Sequence, residues 1–466
     1  MNQNSEIALG SGAAKVPNEL WDAILSCFGG DNKSLSSYSL LSRSCREQAI
    51  PHLFTTLSIL SHSAEDFMSF VDSSPAIASC INQLTIRDPP KSSAPKVGPG
   101  EERRELHILQ LAQIVRGLPS LQRLFVQCNL RATGQEHHLL QHTVPSIGDR
   151  MRKARILRKI NVLDINVDAI EDGPCQFSSL ILVLSLFSSI DTLRLSRLPA
   201  YMSCDCVSRS SVTPIDYDNT DDMLLLPDHT RPKLTVTSLE IHSHNFLSPR
   251  MARAVSKLFI HDAQSHPIPR LESLTLWCGR HVQALEPYNN LIRAHGSHLK
   301  HCSLSFGTRI CTWPRGISPD LPIDLSSCTS LESLVLTGNW NTTLGMPNGP
   351  IPSTTFVNAL ATLPAASNIK QLTIELTMRW YIFSFDEHTI SGRLYPAIDW
   401  HSLRNVLGQK LSSSLRSFTF DWTVNPLNMA GDILQVRDWM QKTVQVEFAQ
   451  MDKAKTLIVR VAATNS

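Results

Sequence analysis

The chain has 466 residues, 42% of them hydrophobic, which suffices for two or three domains or one extended array and excludes disorder throughout. Forty-three basic residues against 41 acidic ones leave a net charge of +2, so nothing global attracts the chain to nucleic acid or to an anionic membrane, and neither is an expected partner. The longest apolar run, Leu180-Ile181-Leu182-Val183-Leu184, is far too short to span a bilayer, residues 1–15 lack an apolar export segment, and no two of the eleven cysteines form a C-x-x-C pair; these features predict a soluble, thiol-reduced protein of the cytoplasm or nucleus.

Residues 1–15 read as a disordered tail. Pro17 suits the first position of a helix, where its missing N–H is not needed, and Glu19 suits the positive end of the helix dipole. Leu20, Ala23, Ile24, Cys27 and Phe28 then fall on one helical stripe, which Gly29-Gly30 ends. Asp31 or Ser34 caps a second helical stretch carrying Leu35, Tyr38, Leu41, Cys45 and Ala49, closed by Pro51. Helices this short bury too little apolar surface to stand alone, so they pack on a larger body or on a partner.

The order Pro17, Glu19-Leu20, Ile24-Leu25, Leu40-Leu41-Ser42-Arg43, Arg46 and Pro51-His52-Leu53-Phe54 resembles the F-box of many fungal F-box proteins, over roughly a tenth of the chain. The resemblance implies an F-box at residues 16–58 that docks on the Skp-type linker protein of a cullin and RING ubiquitin ligase. It puts Pro17, Leu20, Ile24, Leu40 and Leu41 at the linker-facing surface. Cys45 stands where that family often has tryptophan. An ordinary amphipathic helical pair, packing only within its own domain, is the alternative.

From residue 59 to 466 a repeat takes over. The spacing apolar-x-x-apolar-x-apolar occurs ten times: Ile81/Leu84/Ile86, Leu121/Leu124/Val126, Ile160/Leu163/Ile165, Ile190/Leu193/Leu195, Val236/Leu239/Ile241, Leu271/Leu274/Leu276, Leu299/Cys302/Leu304, Leu331/Leu334/Leu336, Ile369/Leu372/Ile374 and Leu415/Phe418/Phe420. The last two positions alternate as a short strand with one buried face demands, and helical patterns at 106–117, 250–263, 354–363 and 400–411 lie between units. The pattern resembles the leucine-rich repeat, with Asn129 and Asn339 at that family's asparagine position. Central positions recur every 28 to 46 residues, so the array is irregular. Loops near 88–104, 130–146 and 199–232, poor in periodic apolar residues, read as mobile insertions. The expected fold class is α/β: a small helical F-box followed by an irregular leucine-rich-repeat-like solenoid, a parallel sheet on its concave face and helices outside. A doubly wound α/β domain is the alternative, without either phosphate-loop signature.

Candidate chemistry is thin. Cys204, Cys206, His242 and His244 offer ligand atoms at a spacing uncommon for zinc, and the Asp216, Asp218, Asp221, Asp222 run lacks the glycine and glutamate of a calcium loop, so neither metal nor cofactor is expected. Arg150, Arg152, Lys153, Arg155, Arg158 and Lys159 form a basic run that reads as a solvated face. No catalytic motif is present, and the chain is expected to be a non-enzyme. Residues alternating with the buried strand positions, Arg87, Phe125, Arg194, Glu240, His242, Trp277, Glu375 and Asp421, are the expected substrate-binding face, with Phe125, Arg194 and Trp277 as anchors. The resulting expectation is a substrate-recognition adaptor of an SCF-type ligase that binds the linker, and through it a cullin, at one end and an unidentified protein substrate at the other. A repeat scaffold with a drifted, non-docking F-box and a hidden α/β hydrolase or transferase are the alternatives.

Overall fold

Two polar side chains decide where the N-terminal helices begin. In the computed structural model α1 spans Asn18–Cys27, α2 Asn32–Ser39 and α3 Arg43–Phe54. Asp31 caps α2, its Oδ1 accepting the backbone N–H groups of Lys33 and Ser34 at 3.2 and 3.1 Å, while Ser42 caps α3 by accepting the Cys45 N–H at 3.1 Å. The single stretch expected from Leu35 to Ala49 is therefore two helices. Ser42 adopts extended backbone, φ −160° and ψ 169°, which breaks the first and starts the second. Nor does Pro51 close the helix: it lies inside α3, giving up one backbone hydrogen bond while the helix runs on to Phe54.

The structure describes residues 18–28, 31–89, 106–128, 130–131, 158–166, 180, 183–196, 234–242, 249–260, 271–278, 285–306, 323–342, 352–365, 367–381, 398–411, 414–427, 433–453 and 456–463. Pro17, Asn129 and almost all of the three expected mobile loops fall outside them, as does the tail. The chain divides into two compact units, with the boundary between Cys128 and Asn129.

In the first unit α3 leads into β1 (Thr56–Leu60), followed by α4 (Ala64–Ser73), α5 (Pro75–Ala78), β2 (Gln83–Arg87), α6 (Ile108–Gly117) and β3 (Arg123–Gln127). The three strands are parallel, with Leu57, Leu84 and Leu124 in one register row and Ile59, Ile86 and Val126 in the next. Gln110 Oε1 accepts the His107 backbone N–H at 3.0 Å at the start of α6, which packs on α4.

In the second unit these described strands pair in parallel in chain order: β4 (Arg158–Asn166), β5 (Phe187–Ser196), β6 (Thr235–His242), β7 (Ser273–Trp277), β8 (His301–Phe306), β9 (Ser333–Thr342), β10 (Gln371–Tyr381), β11 (Ser417–Leu427) and β12 (Leu457–Ala463). Between them lie α7 (Pro249–Ile260) packed on α8 (Leu285–His295), and α9 (Pro352–Ala361) packed on α10 (Trp400–Lys410); α11 (Ile433–Glu447) packs on β12, and α12 (Ala449–Lys453) follows it. The fold is α/β, and the strand pairings given above within each unit are parallel, as expected.

Every position of the ten apolar triplets is buried except Leu415, which is half-buried. Leu239, Leu274, Cys302, Leu334, Leu372, Phe418 and Leu457 form one register row across β6–β12. Sequence spacing is irregular, yet the entry to successive strands is regular. The carbonyl of Asn82 accepts from the N–H groups of Gln122 and Arg123, and those of Glu272, Lys300, Glu332 and Lys370 each accept from two successive N–H groups at the next strand's entry. Glu272 to Lys300 and Glu332 to Lys370 add ion pairs of 2.9 and 2.8 Å along that edge. Among these twelve strands, β1 and β12 lie beyond the ten units. The strands are also longer than expected, β10 and β11 having 11 residues each, because Leu376 and Trp422 extend the buried row. Cys278, Cys302 and Cys328 are buried and reduced, and burial pushes the Cys278 and Cys328 thiols up to about 12.

Candidate docking surfaces

Three apolar side chains hold the N-terminal helices together: Leu25 on α1, Leu35 on α2 and Ala49 on α3 are buried. Trp21 and Tyr38 add a ring contact at 5.7 Å, and the Tyr38 hydroxyl donates to Gln48 Oε1 at 2.8 Å. The cluster leaves other large apolar side chains outside. Leu20 is 55% exposed, Ile24 45%, Phe28 40%, and Leu40 and Leu41 74% each. Among the described residues only three further large apolar side chains, Leu109, Val446 and Ile458, are exposed. The helical periodicity of Leu20, Ala23, Ile24, Cys27 and Phe28 is thus an outward stripe, with Leu25 turned inward. Leu40 and Leu41 occupy the α2–α3 turn, where Leu40 N–H donates to Ser37 O and Leu41 N–H to Tyr38 O. All four of the expected linker-facing residues that the structure describes are exposed; Pro17 is not described. Phe28 joins them and was read from the sequence only as part of the helical stripe. Cys45 lies half-buried behind the turn, and hydrogen bonds from Ser42 and Tyr38 hold its thiol below the ordinary range.

The expected strand face resolves into two rows. Residues between the two buried strand positions form one: Asp164, Arg194, Glu240, Thr275, Ser303, Val335, Thr373 and Thr419 are register partners across β4–β11. Residues just past the second buried position form the other: Trp277, Ser305, Thr337, Glu375, Asp421 and Arg460 are partners across β7–β12. In the first unit Phe125 pairs with Thr85 and Arg87 with Gln127, again on separate rows. Phe125, Arg194, Glu240, Trp277, Glu375 and Asp421 are half-buried and Arg87 is exposed. The structure therefore brings Arg194 next to Glu240, and Glu375 next to Asp421, but does not assemble the set as one line.

Charge concentrates on β4–β6. Arg194 Nε donates to Glu240 Oε2 at 2.8 Å, and His242 Nε2 lies 3.2 Å from the same oxygen. The His242 hydrogen bond, with Arg194, holds the Glu240 carboxyl below the usual range, whereas burial raises that of Asp164 across from Arg194. Asp164 was missed in the sequence, although it lies between Leu163 and Ile165 as Phe125 lies between Leu124 and Val126. On β9 and β10, Thr337 Oγ1 donates to Glu375 Oε2 at 2.9 Å.

Cys204, Cys206, His244, the four aspartates at 216–222 and residues 150–157 of the basic run lie outside the described residues; Arg158 and Lys159 open β4, with Lys159 Nζ 3.5 Å from Asp191. Among the described residues no group of three or more His, Cys, Asp or Glu is placed to hold a metal ion, and no helix is long and apolar enough to cross a membrane. The sequence matches no family model, and no curated protein matches it.

Proposed function

We propose that the chain is a substrate-recognition adaptor of a cullin and RING ubiquitin ligase, its N-terminal helices acting as an F-box that docks on the Skp-type linker and its strand array acting as an irregular leucine-rich-repeat solenoid that holds a protein substrate. The observation that carries the docking half is the exposure of Leu20, Ile24, Phe28, Leu40 and Leu41 on a helical cluster whose fold depends on other residues, Leu25, Leu35 and Ala49. Solvent-facing leucines grouped on one small element mark an interaction surface. Transfer of ubiquitin belongs to another subunit, and this chain supplies no catalytic group.

The substrate half is supported by the outward rows, where Trp277, Phe125 and the Arg194–Glu240 pair offer aromatic and charged anchors on rigid strands. The reading places the protein in the cytoplasm or nucleus.

Co-expression of the full chain with a Skp-type linker tests the docking. The wild type is expected to co-purify with it, and the Leu20→Asp, Ile24→Asp double variant to lose it while keeping its circular dichroism spectrum, since both side chains already face solvent. Full-length protein that never retains the linker overturns the adaptor reading and leaves a repeat scaffold.

A further inference from the structure

α10 buries Trp400, Leu403 and Leu407 and turns the opposite stripe, His401, Arg404, Asn405, Gly408 and Gln409, to solvent. That stripe is one wall of a cavity of about 700 Å³, and residues 446–451, where α11 ends and α12 begins, are the other. The volume is in the range that takes a small ligand or a few peptide residues. Phe448, at the corner between α11 and α12, is fixed by the rings of Trp400 and Phe418 at 6.0 and 5.0 Å, so the second wall is rigid. A Cβ at Gly408 would meet nothing within 4 Å. Packing therefore does not require this glycine, which weakens α10 and keeps the cavity open. The lining holds a single carboxylate, that of Glu447, which is buried and has Arg404 Nη1 3.1 Å from its Oε2. A guanidinium carries five N–H donors, and one carboxylate oxygen leaves the fork with more to give. The side-chain amides of Asn405, Gln409 and Gln450 both donate and accept, as a peptide bond does, and Val446, 71% exposed, and Met451 offer aliphatic contact.

We propose that this cavity binds a short peptide segment through a carboxylate, either the end of its chain or an acidic side chain. Arg404 takes the carboxylate, the amides of Asn405, Gln409 and Gln450 take the peptide groups, and Val446 and Met451 take an aliphatic residue beside them. Charge selects the ligand. A carboxylate is planar and singly charged, so it matches the fork, whereas a phosphate dianion meets Glu447 with twice the repulsion. A cationic ligand has to displace Arg404 from a buried acid. The cavity uses none of the residues of the outward strand rows or of the N-terminal helices.

Ligand-observed NMR and calorimetry of the full chain with three tripeptides test this: acetyl-Ala-Ala-Leu with a free terminal carboxylate, the same peptide amidated, and amidated acetyl-Glu-Ala-Leu. A carboxylate peptide is expected to bind roughly tenfold or more tighter than the neutral amide, and which of the two does so identifies the source of the carboxylate. Gly408→Leu, whose side chain enters the open space beside α10, is expected to abolish that binding with an unchanged circular dichroism spectrum. Arg404→Lys keeps a charge beside Glu447 but loses the planar fork, and is expected to weaken the carboxylate peptide by roughly three- to tenfold while leaving the neutral amide unchanged. Failure of all three peptides to bind overturns the proposal, as does equal binding of the carboxylate peptides and the neutral amide. So does carboxylate binding that Gly408→Leu leaves intact. Gly408→Leu is also expected to keep the Skp-type linker, so loss of peptide binding and loss of linker docking are read separately.

Discussion

Glu240 and Asp164 sit on one face, with β5 between their strands, and titrate in opposite directions. The folded-state value of Glu240 is depressed by His242 and Arg194, so its stabilisation is present above the ordinary 4.5 and is lost as pH falls through the lower folded value. Glu240→Gln is expected to cost about 1 kcal/mol at neutral pH, with the deficit vanishing in acid. Asp164 is raised above 3.8 by burial, so its ionised form is a liability that appears as pH rises from 3.8 through the folded value. Asp164→Asn is expected to stabilise the neutral protein and to be silent below that range. Urea unfolding of both variants across pH checks the two signs. Arg194 and Glu240 were legible in the sequence as outward strand residues. Their pairing was not, because 46 residues separate them and only the strand register makes them neighbours.

At the scale of elements, close approach decides which glycines matter. A Cβ on Gly296, just after α8, would lie 2.7 Å from the Ser327 carbonyl carbon at the turn before β9. Gly296→Ala is expected to lose about 1–3 kcal/mol in thermal unfolding, since backbone has to move. Gly408 is the opposite case: a Cβ there meets nothing within 4 Å, so Gly408→Ala in α10 is expected to gain up to about 1 kcal/mol through helix propensity. Helix positions were legible from periodicity: the patterns at 106–117 and 400–411 became Ile108–Gly117 and Trp400–Lys410. The break between α2 and α3 was not, because Ser42 competes with helix continuation only through its own hydrogen bond to Cys45 N–H. β1 escaped as well, although Phe54-x-x-Leu57-x-Ile59 carries the same spacing as the ten units.

For the molecule as a whole, the N-terminal helices and the strand array ask different things of their leucines. Leu25→Ala is expected to destabilise the helical cluster by about 2–5 kcal/mol, whereas Leu20→Ala and Ile24→Ala, already exposed, are expected to change unfolding by less than about 0.5 kcal/mol and act instead on partner binding. Limited proteolysis compared with linker pull-down separates the two effects. By itself the sequence determined the α/β class, the parallel strands and the buried triplets, since a period of two for strands and of 3.6 for helices is written in local order. It also carried the apolar residues of the N-terminal stripe. Only the tertiary structure decided which of those face solvent, since Leu20 and Leu25 are equally apolar and differ only in what packs against them. It likewise split the outward face into two rows, because register belongs to contacts between segments distant in sequence.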